Sequence, residues 1–272
     1  MAKTSVSALR RFVDGCQGQK VWAGVDVHKR TYSVALHRED GQIVTFVTPA
    51  DPANLIRQFR ELHIPLEELA YEAGPTGFSL ARETMKAGIP AIVGAPSRIP
   101  RPVLAGAKSD RLDCVKLAGY AKRGMLPSVT VPTPGEEARR SLLRRRHQLI
   151  DSLRRTKQRI KGLLLFLGLS EPPSLALWGK RALEELRGLP MEPPALQTLE
   201  SHLRSLAFTQ AELKEVEEQI ARLAQDDDTS GVMNYLRSVP GVGPVVAATF
   251  CLELFRPERF HCAEEVTSYL GL

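Results

Sequence analysis

Four carboxylates stand where they invite chemistry. Asp110 and Asp113 lie three residues apart in "KSDRLDCVKLA" (108–118), just after Lys108 and at the start of a segment with helical character. Residues three apart on a helix are neighbours, with side chains about 5–6 Å apart, so one element offers two ligands. Asp26 sits in "GVDVHK", at the centre of an expected strand, where a charge among apolar residues is costly unless it faces a partner or a metal. Glu72 ends another expected strand, in "YEAGPTGF". Each acid has a plainer reading when taken singly. Asp110 can cap a helix with Asp113 in its first turn, Glu72 can be a solvated strand end, and Asp26 can belong to a strand with one wet face. Four carboxylates meeting at one point would repel and raise one another's pKa, so cations are needed to neutralise them. Hard oxygen donors select Mg2+ or Mn2+. Two such ions about 3.5–4 Å apart can activate a nucleophile and stabilise the leaving oxygen of a phosphodiester. Lys108 would then contact a nearby phosphate.

The elements that must position these acids follow from periodicity. "KVWAGVDVH" (20–28), "TYSVALHRE" (31–39) and "QIVTFVTPA" (42–50) place β-branched residues at alternating positions, with breaks at Lys29-Arg30 and Asp40-Gly41. That pattern is an antiparallel meander. Asp51 caps and Pro52 opens a helix at 51–63, with Leu55, Ile56, Phe59 and Leu62 at helical spacing. A strand is expected at 66–74, a helix at 77–88 closed by Gly88, and a buried parallel strand at 89–96. The order β-β-β-α-β-α-β-α is that of the α/β ribonuclease-H-like (RuvC-like) fold. There the first and fourth strands are neighbours, so Asp26 and Glu72 converge.

Past the linker "PSVTVPTPGEE" (127–137) the composition changes, which divides the chain into a catalytic region 1–127, a helical region 136–228 and a C-terminal region 229–272. A helix over about 136–167 carries an apolar stripe that includes Leu142, Leu149, Ile160 and Leu164, and a second helix over about 195–225 can pair with it as an antiparallel coiled coil. The first is strongly basic between 139 and 162, with Asp151 its one acid. Arg139, Arg140, Arg144, Arg145, Arg146, Arg154, Arg155, Lys157, Arg159 and Lys161 are candidates for phosphate contacts. The alternative is a solvated coiled-coil face paired with the acidic stretch 211–228. Aromatic residues make up 6% of the chain and do not interleave with the arginines, which favours backbone or duplex-shape recognition over base stacking. "VPGVGPVVAA" (239–248) reads as a helix-hairpin-helix motif. Gly241 and Gly243 would allow its turn and the next helix N-terminus would grip a phosphate, unless it is a plain helix-helix turn with Pro244 at the first helical position.

Composition bounds the rest. The 272 residues are 43% apolar and 25% charged with a net charge of +6, enough for two domains and a real core. No apolar run reaches the length of a membrane span and no secretory signal opens the chain, so a cytoplasmic protein with no membrane partner is expected. Cys16, Cys114, Cys251 and Cys262 are scattered without zinc-ligand or CxxC spacing, which supports neither a disulfide framework nor a zinc site. His28, His37, His147, His202 and His261 are read as surface or supporting residues.

At the motifs "GVDVHKRTYSVAL", "YEAGPTGF", "KSDRLDCVKLA" and "LRSVPGVGPVVAATFCLEL" (236–254), the sequence resembles the DEDD transposases of insertion-sequence family one-hundred-ten, the bridge-RNA-guided recombinases. The resemblance implies that Asp26, Glu72, Asp110 and Asp113 are the four acids of a Mg2+ site in a RuvC-like domain. It further implies a coiled coil and a C-terminal transposase domain, a bridge-type guide RNA, donor and target DNA, a dimer that becomes a tetramer in synapsis, and a bacterial or archaeal cytoplasm. Strand cleavage in such proteins is shared with a serine that follows a "YLGL"-like stretch. This sequence ends at Leu272, so that serine is expected to be missing and Ser268 is not its equivalent. Three other readings remain: a metal-dependent nuclease resembling Holliday-junction resolvases, with water as nucleophile; an actin-like sugar kinase or ATPase, which would need further glycine-rich motifs; and a non-catalytic RNA-binding protein.

Overall fold

The alternating residues after Lys20 build a five-stranded mixed sheet in the computed structural model, which describes residues 6–99, 110–223, 227–254 and 256–271. The strands are β1 (Val21–Val27), β2 (Thr31–Arg38), β3 (Ile43–Pro49), β4 (Leu66–Glu72) and β5 (Ala91–Gly94), in the spatial order β3-β2-β1-β4-β5. β1, β2 and β3 pair antiparallel, while β4 joins β1 in parallel and β5 joins β4 in parallel. This is the ribonuclease-H-like arrangement expected from the element order. The helices of this first unit are α1 (Val6–Asp14), α2 (Pro52–Glu61), α3 (Ser79–Lys86) and α4 (Asp110–Lys122). Asp51 caps α2 by accepting the Ala53 N–H at 2.9 Å, with Pro52 at the first helical position.

The two faces of the sheet are covered differently. Val21, Ala23 and Val25 of β1, with Leu36, Leu69, Tyr71 and Val93, pack against Phe12 of α1, Leu55 and Phe59 of α2 and Leu80 of α3. On the other face α4 lays Cys114, Leu117, Ala118 and Ala121 over Ala35, Ala70, Trp22 and Ile92. α1 was not expected, since 1–19 reads as a polar lead-in. Its apolar positions Leu9, Phe12 and Val13 nevertheless have helical spacing, and Phe12 is 5% exposed. β1 also ends sooner than expected, because the His28 N–H bonds the Thr31 carbonyl to turn the chain into β2. Asp26 is therefore the penultimate residue of β1 and not its centre.

Thr133–Leu272 forms a second, helical unit. It comprises α5 (Pro134–Phe166), α6 (Lys180–Arg187), α7 (Pro193–Leu223), α8 (Asp227–Arg237), α9 (Pro244–Leu254) and α10 (Ala263–Leu270), with short 3-10 turns at Pro173–Ala176 and Pro257–Arg259. A capping box closes the start of α5: Thr133 Oγ1 accepts the Glu136 N–H, and Glu136 accepts the Thr133 N–H. α5 and α7 run antiparallel. Leu143 and Leu149 share a cluster with Val216 and Ile220 near one end of the pair, and Ile160 and Leu164 share another with Leu199 and Leu203 near the other. The first of these cores also takes in Met233, Ala247, Ala248 and Leu252, so residues of 136–228 and 229–272 pack together. No helix among the described residues is long and apolar enough to cross a membrane.

Candidate active site

β1 and β4 bring two of the acids together through their register. Val25 is the parallel partner of Tyr71, and both are fully buried on the face covered by α1, α2 and α3. Side chains alternate along a strand, so Asp26 and Glu72, the next residue on each, belong to the face that α4 covers, on strands about 4.8 Å apart. Glu72 is the last residue of β4 and is exposed, and Asp26 is 24% exposed. Both are open to water at one end of the sheet.

α4 arrives at the same end because Gly24 lets it. A Cβ on Gly24 would fall 2.1 Å from the Cys114 carbonyl oxygen and 2.3 Å from the Ala118 nitrogen, so the absence of a side chain sets the helix directly on the strand. Gly24 meets Cys114 and Ala118, while Gly119, further along α4, lies beside His37, the β2 partner of Trp22, so α4 runs antiparallel to β1. Two residues along β1 from Gly24 is Asp26, about 6.6 Å away, and one helical turn back from Cys114, about 5.4 Å, is the start of α4. The first turn of α4, beginning at Asp110 and carrying Asp113, is thereby brought to the Asp26 end of β1.

The Cys114 thiol reports the same convergence electrostatically. Burial pushes its pKa up to about 11, and the negative charges of Asp26 from the strand and Asp113 from the helix push in the same direction. The carboxylate oxygens gathered here are hard donors, a set that suits Mg2+ or Mn2+. Asp26 Oδ2 lies 3.1 Å from His28 Nε2, and Asp113 Oδ1 lies 3.4 Å from Lys116 Nζ. The side chain of Asp110 and the whole of Lys108 lie outside the described residues. Among the described residues no three His, Cys, Asp or Glu side chains make a ready ligand group, so Asp26, Glu72 and Asp113 share an end of the sheet without closing on one point.

Sequence reasoning put His28 among the surface or supporting residues, and its contact with Asp26 is of the supporting kind. It missed the role of Gly24, for which the signal was a glycine inside an otherwise β-branched strand. The other histidines lie apart. His37 is partly buried, and burial, with the charges of Lys122 and Arg123, pushes its pKa down. His147 and His261 are exposed beside Asp151 and Glu265. All four cysteines are free.

The basic residues of α5 fall into two groups. Arg140 meets Glu253 at 2.9 Å, Arg145 meets Glu212 at 3.7 Å, Arg146 meets Glu217 at 2.8 Å, Arg154 meets Asp151 at 3.0 Å and Lys161 meets Glu171 at 2.6 Å. Lys157 Nζ stands over the Trp178 ring, 5.3 Å from its centre. Arg139 lines a cavity of about 380 Å3 with Glu136 and Arg256. Arg144, Arg155 and Arg159 are exposed, have no acidic partner among the described residues, and share one stripe of the helix by their spacing of 11 and 4. In the turn between α8 and α9 only Gly241 uses the left-handed backbone, at φ 88°. Pro244 opens α9, and the Gly243 carbonyl accepts the Ala247 N–H at 3.0 Å.

Comparison with known proteins agrees with the motifs. Residues 23–168 match the family model described as "DEDD_Tnp_IS110: Transposase", and residues 233–272 match "Transposase IS116/IS110/IS902 family". Over 259 residues the chain is 29% identical to "Putative transposase y4qE" of Sinorhizobium fredii (strain NBRC 101917 / NGR234), covering 93% of this chain and 63% of that protein. Over 247 residues it is 28% identical to "Transposase for insertion sequence element IS1533" of Leptospira borgpetersenii, covering 88% of this chain and 71% of that one. The chain thus spans about two thirds of the length of these relatives. A solved structure of Thermus thermophilus RuvC matches 40% of this chain and 99% of its own at 14% identity, with a TM-score of 0.27, and nothing rests on it. With more than half of the sequence inside the first family model, and the second covering its C-terminal residues, the chain belongs to the IS110 family of DEDD transposases.

Proposed function

We propose that Asp26, Glu72, Asp110 and Asp113 hold Mg2+ or Mn2+ and cut a DNA strand, within a recombinase that a bridge-type RNA directs to donor and target DNA. The observation that carries this reading is the placement of Asp26, Glu72 and the first turn of α4 at one end of the sheet, through the Val25–Tyr71 register and the contact of Gly24 with Cys114. The bound ions would supply Lewis-acid stabilisation of charge on the phosphoryl oxygens. The chain's own residues bring the oxygen donors from two strands and one helix, and His28 orients the Asp26 carboxylate. Lys108 contacts phosphate at the site, and the exposed arginines of α5 take nucleic-acid backbone at a second place, as the turn at Gly241 and Gly243 does at a third. The paired helices α5 and α7 provide the dimer surface, and two dimers hold the two DNAs.

The test is strand cleavage of DNA carrying the element's end, by the chain loaded with RNA transcribed from the element. Nicking that needs Mg2+ and disappears in Asp26→Ala and Asp113→Ala is the expected result. No nicking, or nicking that survives both substitutions, contradicts the reading. Free DNA ends would mean that water is the nucleophile at the acids, and protein-linked ends that a serine of the protein is.

A further inference from the structure

On the face of the sheet opposite α4, a cleft of about 570 Å3 opens at the carboxyl ends of β1 and β4. It is lined by His28, Lys29, Tyr32, Tyr71, Thr76 and Ser79, among others. Nothing in the reading of the four acids uses it. Tyr32 is 4% exposed, its hydroxyl has no hydrogen-bond partner among the described residues, and the little of it that solvent reaches is at the cleft. Burial, and after it the charge of Asp51, raise the Tyr32 pKa, so the phenol keeps its proton and is an O–H donor. The Asp51 carboxylate is itself occupied at the N-terminus of α2. By contrast, the Tyr71 hydroxyl is already committed, donating to the Gly77 carbonyl at 3.2 Å.

The other groups at the cleft are also donors. Ser79 is the first residue of α3, and the residue before it, Phe78, provides no side-chain cap, so the leading N–H groups of that helix find no side-chain acceptor there. Lys29 is exposed and has no carboxylate partner among the described residues. Thr76 and Ser79 add hydroxyls. A cation, an uncapped helix start and a phenol with no protein partner around one concavity match an anion bearing several acceptor oxygens. His28 joins the two places, lining the cleft while its Nε2 touches Asp26.

We propose that this cleft seats a phosphate of the nucleic-acid strand next to the one cut at the acids, with Lys29, Tyr32 and the start of α3 as its donors. The proposal rests on the reading of the acids as a strand-cutting site, and it supplies the register of the strand across that site. A nucleotide fits a space of this size.

The test is equilibrium binding of thymidine 3′,5′-bisphosphate and of inorganic phosphate to the full chain in EDTA, where the acids hold no ion. The bisphosphate is expected to bind more tightly than phosphate. Tyr32→Phe and Lys29→Ala are each expected to weaken it about tenfold, as loss of a hydrogen bond to a charged group does. Tyr32→Phe removes only an unpartnered hydroxyl, so an unchanged unfolding temperature serves as the control for folding. Equal binding by the parent and both variants overturns the proposal, and so does phosphate binding as tightly as the bisphosphate, which assigns the cleft to a free anion. Tyr32-dependent binding without Mg2+-dependent cutting would sink the acid-site reading and leave the cleft. Cutting with binding indifferent to Tyr32 and Lys29 sinks the cleft alone.

Discussion

The carbonyl oxygen of Cys114 occupies the space where a side chain on Gly24 would go, 2.1 Å from an ideal Cβ. The obstacle is backbone on both sides, so no rotamer change relieves it. Gly24→Ala is expected to push α4 off β1 and cost about 2–4 kcal/mol, as overpacking of a rigid contact does. Chemical denaturation would measure this, and a variant of unchanged midpoint would show that the helix does not sit on the strand as described.

The contact of His28 with Asp26 predicts a supporting effect. Removing a residue that orients a ligand commonly weakens metal binding by about 10–100-fold. His28→Ala is therefore expected to weaken Mn2+ binding by about tenfold without unfolding the chain. Titration with Mn2+ would decide, and an unchanged affinity would mean that His28 does not position Asp26.

Arg38, 5% exposed, makes a bidentate pair with Asp40, Nε to Oδ1 at 3.0 Å and Nη2 to Oδ2 at 2.5 Å, and donates to the Phe12 carbonyl at 3.0 Å. The Arg38 hydrogen bond, followed by the Gln42 N–H, holds the Asp40 pKa down at about 2. A depressed carboxylate stabilises the fold above its unfolded pKa, near 3.9, and that stability is lost as pH falls toward 2. Unfolding midpoints of the parent are expected to fall over this window. Asp40→Asn should lower the midpoint at pH 7 and flatten its change between pH 4 and pH 2.

The two groups of basic residues on α5 predict different behaviour. Arg144→Ala, Arg155→Ala and Arg159→Ala are expected to reduce nucleic-acid affinity and lower the slope of log affinity against log salt by about 0.7–0.9 each, with little change in stability. Arg146→Ala, which leaves Glu217 without its partner, is expected to act more on stability than on affinity. Binding measured over a salt series, beside thermal unfolding, would separate them.

Much of the first unit was legible because its signals are local. Alternation in 20–50, the turn at Asp40-Gly41 with Gly41 at φ 94°, and the Asp51-Pro52 start of α2 all read directly. α1 was not, because nine residues give too few turns for a periodicity to stand out and its reason for being helical is the sheet that Phe12 packs against. Asp26 and Glu72 could be paired from strand order alone. The arrival of α4 could not, because it depends on the missing side chain at Gly24, which no periodicity displays. The splitting of the α5 cations was offered only as an alternative. Which arginine meets which glutamate depends on the register of α5 against α7, a property of their packed leucines and not of the charges.

The central claim is that acids from β1, β4 and α4 share a divalent ion, and binding of Mn2+ to the chain tests it most directly. Electron paramagnetic resonance of Mn2+ titrated into the chain is expected to show saturable binding that Mg2+ displaces and that Asp26→Asn, Glu72→Gln and Asp113→Asn each weaken strongly. Saturable binding indifferent to all three substitutions, or none at all, would contradict the account.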